Sequence, residues 1–165
     1  VTALKADFPT RIIAVIEQCP GDIDRMEYEP KTGRFVPNGF GYLHSQRGYR
    51  GAYGWIAGLG TPPQPHVDVL ILTQRTDLVH GQQLAATICG IFWRADGDHK
   101  LIAVTDEVLK DCACADWDSL PLSWRNQLER IYPHLEPGEG WLGSNQAQDY
   151  LLRCRNSAEH IIKRR

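Results

Sequence analysis

The pattern of apolar and polar positions changes period about two thirds of the way along the chain. Before that point, short β-type runs dominate. Arg11 to Gln18, RIIAVIEQ, is rich in Ile and Val and predicts a strand. Met26 to Tyr28 and Arg34 to Val36 flank EPKTG, whose Pro30 and Gly33 suit a hairpin connection. Val67 to Leu72 is apolar on both alternating faces except for Asp68 at its entrance, so it predicts a strand buried on both sides. Further strands are predicted at Tyr53 to Ile56, at Leu84 to Trp93 and, after the turn DGDHK, at Leu101 to Val104. Gly39 to Gly60 is rich in glycine and aromatic residues and predicts a long irregular loop ending in the Tyr53 strand, a kind of segment that usually carries function.

Later positions repeat at helical spacing. Leu120, Trp124, Leu128 and Ile131 fall on one helical face, with Pro121 at its start and Pro133 ending it. Ala147, Tyr150, Leu151, Cys154, Ala158, Ile161 and Ile162 form a wider stripe on a second helix, with Ser144 or Asn145 as its cap. Many short strands followed by two helices predict a mainly β protein of the α+β kind, a small barrel with helices packed outside it.

Composition narrows the classes. A chain of 165 residues has the length of one domain, here taken as residues 1–165, and can bury a core without staples. Eighteen basic residues stand against twenty acidic ones, which argues against a large nucleic-acid footprint; the terminal Lys163, Arg164 and Arg165 suit a helix dipole. No apolar run is long enough to span a membrane and no signal-peptide pattern opens the chain, so the expectation is a soluble cytoplasmic protein. Cys19, Cys89, Cys112, Cys114 and Cys154 lack C-x-x-C spacing and predict free thiols; CACADWD, Cys112 to Asp118, reads as a helix end with buried thiols.

Chemistry gathers where a barrel mouth would lie. Asp68 heads one strand, Asp96, Asp98 and Lys100 alternate before another, and Glu17 closes the first. Because side chains repeat every two residues in a strand, His66 shares a side with Asp68, and Asp98 with Lys100. Converging carboxylates suit a hard divalent cation such as magnesium; the alternative is that each is a solvated strand end. His66 and His99 open a variant in which the mouth takes zinc or manganese, and here too the alternative is hydrogen-bonding surface residues. Tyr42, Tyr49, Tyr53 and Trp55, interleaved with Arg47 and Arg50, offer a further alternative, stacking of single-stranded bases.

The order of RIIAVIEQ, RMEYEPKTGRF, YRGAYGWI, HVDVLIL and GDHKLIAV resembles the soluble inorganic pyrophosphatases, from about Ile12 to the last helix. QLERIYPHLEPGEGW is similar to that family's first helix and the segment behind it. The resemblance implies a five-stranded OB-type barrel flanked by two helices, magnesium-dependent hydrolysis of diphosphate to two phosphates, and a homo-oligomer, commonly a hexamer. It implies metal ligation by Asp68, Asp98, Glu17 and Glu27, catalytic roles for Asp68 and Tyr53, and phosphate contacts from Arg25, Tyr53 and Lys100.

The match then breaks at one motif. The family carries Asp-x-Asp-Pro-x-Asp before its apolar strand, and only the last aspartate is matched here, by Asp68; Pro63 and Pro65 hold the other two positions. A proline offers neither a carboxylate nor an N–H. The family's earlier aspartate in the second metal segment falls on or near Trp93, with Asp96 as a displaced substitute. Its arginine after the hairpin falls on Asn38 or Gly39, and its late Tyr-Lys pair near Pro133 and His134. Arg25 replaces a phosphate-binding lysine. The expectation is a protein whose hydrolysis is weak or lost, or alternatively a binding or assembly module on the same barrel, taking a phosphate ligand or a protein partner.

Overall fold

The computed structural model describes residues 7–163, with side chains to residue 158. Its strands are β1 (Arg11–Gln18), β2 (Asp24–Glu29), β3 (Arg34–Gly41), β4 (Ala52–Ile56), β5 (Asp68–Leu72), β6 (Gln83–Trp93), β7 (Lys100–Val104) and β8 (Gly140–Gly143). The helices are α1 (Leu43–Gln46), α2 (Asp106–Leu109), α3 (Leu122–Ile131) and α4 (Ser144–Lys163). β1, β4, β5, β7 and β6 pair in that order, and β6 pairs back onto β1, so the five strands close a barrel. The β2–β3 hairpin forms its own sheet, and β8 adds to the end of β6. The predicted five-stranded barrel with two flanking helices is therefore the observed fold.

The apolar run of β5 has a simple cause. Val69 and Ile71 point into one core cluster with Ala14, Ile16, Ile88, Leu101 and Ala103, which Ala147 and Leu151 of α4 join. Leu70 and Leu72 point the other way, into a second cluster with Tyr49, Tyr53, Ile102, Val104 and Trp124, Leu128 and Ile131 of α3. Both faces are covered, so no polar residue is tolerated between Val69 and Leu72.

Three expectations change. Gly39 to Gly60 is irregular only in part: β3 runs to Gly41, α1 follows, and β4 begins at Ala52, which leaves residues 47–51 and 57–60 as turns and connections. Its aromatic residues Tyr42, Tyr49, Tyr53 and Trp55 are all buried, which removes the exposed stacking platform. At the start of α4 the cap comes from outside the helix: Asp116 Oδ1 accepts from the N–H of Ser144 at 2.9 Å and from that of Trp117 at 2.9 Å. In the CACADWD segment, which follows α2, Cys112 is half-buried and Cys114 exposed, so these thiols are not core residues. The side chains of Ile161 and Ile162, and the residues Arg164 and Arg165, lie outside the described part of the chain.

Candidate active site

Register places the charged residues at one end of the barrel. β5 and β7 run parallel with Asp68 opposite Lys100, so the two side chains emerge as neighbours, and Asp98 lies two positions before Lys100 on the same side. Lys100 Nζ donates to Asp68 Oδ2 at 2.6 Å and to Asp98 Oδ2 at 3.0 Å. Its side chain is only 7 % exposed, against 59 % for Asp98, so the buried ammonium anchors to Asp68 and reaches outward to Asp98. The other Asp68 oxygen, Oδ1, faces His66 Nε2 at 2.9 Å. His66 Nδ1 in turn faces the Gln64 carbonyl at 2.8 Å. Both ring nitrogens thus face oxygen atoms of neighbouring groups.

A bulge supplies the second wall. Ile16 pairs with Gly54 and Gln18 with Tyr53, which leaves Glu17 as the extra residue of β1, turned inward and buried. Gly54 permits the close approach: a Cβ there would meet the Val15 carbonyl and the Glu17 nitrogen. Arg25 NH2 donates to Glu17 Oε1 at 2.9 Å and Arg25 NH1 to Gln18 Oε1 at 2.9 Å, so the guanidinium is held by two groups of β1. Burial raises the Glu17 carboxyl above its ordinary value, and Arg25 opposes that rise. Tyr53 lies between the two cations, with Arg25 Cζ 5.5 Å and Lys100 Nζ 5.8 Å from its ring centre. Burial first, and the Asp68 carboxylate next, push its phenol well above the usual range.

Two aromatic-wall residues escaped the sequence reading. His44 sits on α1 among Tyr49, Tyr53 and Tyr132, with ring centres 6.1, 5.4 and 5.9 Å away. Burial, then Arg25, Lys100 and Arg47, push it down to about 4, so it is a neutral ring beside the site. Tyr132, just past α3, also stacks on Phe92 at 4.5 Å and carries Arg94 over its ring. Neither residue lies in a recognisable spacing; the hint was only the density of aromatics.

The remaining expected residues lie apart from this group. Glu27 is exposed on β2, with no ion pair or side-chain hydrogen bond to the others among the described residues. Asp96 Oδ1 accepts from the Asp98 N–H at 2.9 Å and closes the turn. His99 Nδ1 accepts from the Arg94 N–H at 2.9 Å while its ring stacks on Trp93 at 3.7 Å, which fixes it in the turn.

Magnesium takes oxygen ligands in a near-octahedral shell, so it needs unpaired carboxylates converging on one point. Here each carboxylate is matched by a basic side chain: Asp68 by Lys100 and His66, Asp98 by Lys100, Glu17 by Arg25. Glu17, Asp68 and Asp98 form no group of three whose ligand atoms lie within 4.8 Å of one another. As arranged, this donor set does not fit a cluster of magnesium ions.

The profile of the family described as inorganic pyrophosphatase matches residues 14–164. The chain belongs to the inorganic pyrophosphatase family. Among solved structures it is similar to the inorganic pyrophosphatase of Thermus thermophilus, at 19% identity and TM-score 0.72, over 96% of this chain and 97% of that one. The enzyme of Ehrlichia chaffeensis aligns at 20% identity and TM-score 0.71, over 93% and 98% of the two chains. That of Coxiella burnetii reaches 23% identity and TM-score 0.60, over 90% and 94%. No curated protein matches the sequence. At these identities the pyrophosphatase likeness fixes the fold, and the chemistry has to be argued from this chain's own side chains.

Proposed function

We propose that this protein is a degenerate inorganic pyrophosphatase that retains the phosphate-facing half of the site and has weak or no diphosphate hydrolysis. The observation that carries the proposal is Lys100 Nζ held between Asp68 and Asp98, two of the carboxylates that remain of the metal-binding set, with Pro63 and Pro65 in the positions of two others. An ammonium there supplies positive charge without the Lewis acidity that makes hydroxide from water near neutral pH. Arg25, Lys100 and Tyr53 would face a phosphate or diphosphate; magnesium, manganese or zinc would reach Asp68, Asp98 and Glu17 only by displacing their basic partners, and Glu27 stands apart from them. Solubility and a cytoplasmic setting accord with the fold, and no described helix is long and apolar enough to cross a membrane. Assembly of copies, a hexamer in the family's manner, would use apolar residues left exposed near the hairpin, Ile23, Phe40 and Leu43.

The test is phosphate release from diphosphate with magnesium, manganese or zinc, beside a family enzyme and Asp68→Ala. Loss of one preorganised group commonly costs ~10²–10³ in rate, so a rate within about tenfold of the family enzyme sinks the proposal. Calorimetry with diphosphate alone should show binding that Arg25→Ala weakens. Light scattering reads the assembly state.

A further inference from the structure

A separate group of donors lies where β1 leaves the barrel. Cys19 and Asp22 sit at the two ends of the turn CPGD, closed by the Asp22 N–H donating to the Cys19 carbonyl at 3.1 Å. Pro20 and Gly21 take its central positions, and Gly21 has φ +85°, the left-handed conformation a glycine there adopts without strain. His80 comes from the loop before β6, which two backbone bonds pin to β1: Gly81 N–H to the Ile16 carbonyl at 2.7 Å and Ile16 N–H to the Gln82 carbonyl at 2.9 Å. One ligand atom from each of Cys19, Asp22 and His80 lies within 4.8 Å of the other two. His80 Nε2 is 2.8 Å from Asp22 Oδ2, and the Cys19 thiol points to the Leu78 carbonyl at 3.4 Å.

We propose that Cys19, Asp22 and His80 form a binding site for one divalent cation of the zinc class. A thiolate, an imidazole and a carboxylate suit a tetrahedral borderline ion and not magnesium, with water as the fourth ligand. The outer supports that such sites need are already in place. Asp22 Oδ2 accepts from the Cys19 N–H at 2.8 Å and from Gln18 Nε2 at 3.0 Å, which fixes the carboxylate. The Phe35 ring lies beside the His80 ring, with centres 6.3 Å apart and planes inclined by 24°. His80 keeps about 31% of its side chain in water, which gives an ion access.

Binding moves two protons. The Cys19 thiol loses its proton to solvent, and the His80 ring carries its proton on Nδ1 so that Nε2 offers a lone pair. Burial, then Asp22, push that thiol up to about 11, so a thiolate signal near neutral pH reports the metal. Gln18 also accepts from Arg25, which joins the new site to the candidate active site through one side chain. The inference does not rest on the pyrophosphatase reading.

The experiment is titration of the full chain with cobalt(II), followed by the thiolate-to-metal charge-transfer band in the near ultraviolet and by the visible bands of tetrahedral cobalt. One equivalent should saturate both signals, and zinc should displace them. Cys19→Ser should abolish the charge-transfer band. His80→Gln should weaken cobalt binding at least ~10-fold, the loss expected for a ligand change, and Cys114→Ser should leave both signals intact. Circular dichroism confirms that each variant folds. Absence of the band in the unmodified protein, or its survival in Cys19→Ser, overturns the proposal.

Discussion

β5 holds two regions that obey different rules within five residues. From Val69 to Leu72 the strand is fully buried and wholly apolar, and each face meets its own core cluster. At Asp68, the first residue, both carboxylate oxygens are engaged by nitrogens of other side chains. The interior is stable because nothing in it needs a partner, whereas the entrance is stable because each charge has one. Perturbing the interior should cost packing energy without touching ion binding. Perturbing the entrance should cost less stability and change what the site attracts.

The sharpest test of the interior is Ile71→Ala, which should lower unfolding free energy by about 3–5 kcal/mol in urea titration and leave any phosphate binding per folded molecule unchanged. Equal losses of binding and stability would mean that wall and entrance are one unit. At the entrance, Lys100→Met should cost about 2–3 kcal/mol, because it leaves Asp68 and Asp98 without their shared cation. The same change should raise affinity for magnesium or manganese in calorimetry. If affinity stays flat, the ammonium is not what keeps cations out. His44 gives a pH test with a definite sign. Its folded value of about 4 lies below the ordinary 6.5, so the unfolded chain binds the extra proton and stability falls as pH drops from about 6.5 towards about 4. The loss should be on the order of 2 kcal/mol, and His44→Gln should remove it. The smallest effect is expected outside both regions: Arg75→Ala breaks an exposed pair with Asp77 and should leave the urea midpoint unmoved.

The fold was legible because burial on both faces and helical spacing leave strong marks in a sequence. The strands from β1 to β7 that close the barrel, and α3, follow from runs such as VLIL and from Leu120, Trp124, Leu128 and Ile131. β8 was missed, since four residues with glycine at each end carry no alternation. The pairing of Asp68 with Lys100 was half legible: the side each one takes follows from period two, but their parallel register does not. His44, the Asp116 cap of α4 and the Cys19, Asp22 and His80 group were not legible, because each depends on contacts between distant segments. Gly39 to Gly60 misled in the opposite direction: Gly51 and Gly54 sit where a Cβ would meet neighbouring atoms, and Gly39, Gly48, Gly58 and Gly60 take positive φ between or near the ends of short elements.

Closure of the barrel by the β1–β6 pairing also bears on how the chain behaves in a crowd. Each barrel strand has a neighbour on both sides, so their backbone groups present no free row to another molecule. The large sheet ends on one side at β8, four residues long and flanked by glycines, which is a poor template for a further strand. Among the described residues, the remaining open edges belong to the two-stranded hairpin, where the bulge between Asp24 and Met26, and Pro37 within β3, interrupt a regular ladder. This topology therefore disfavours self-association through added strands.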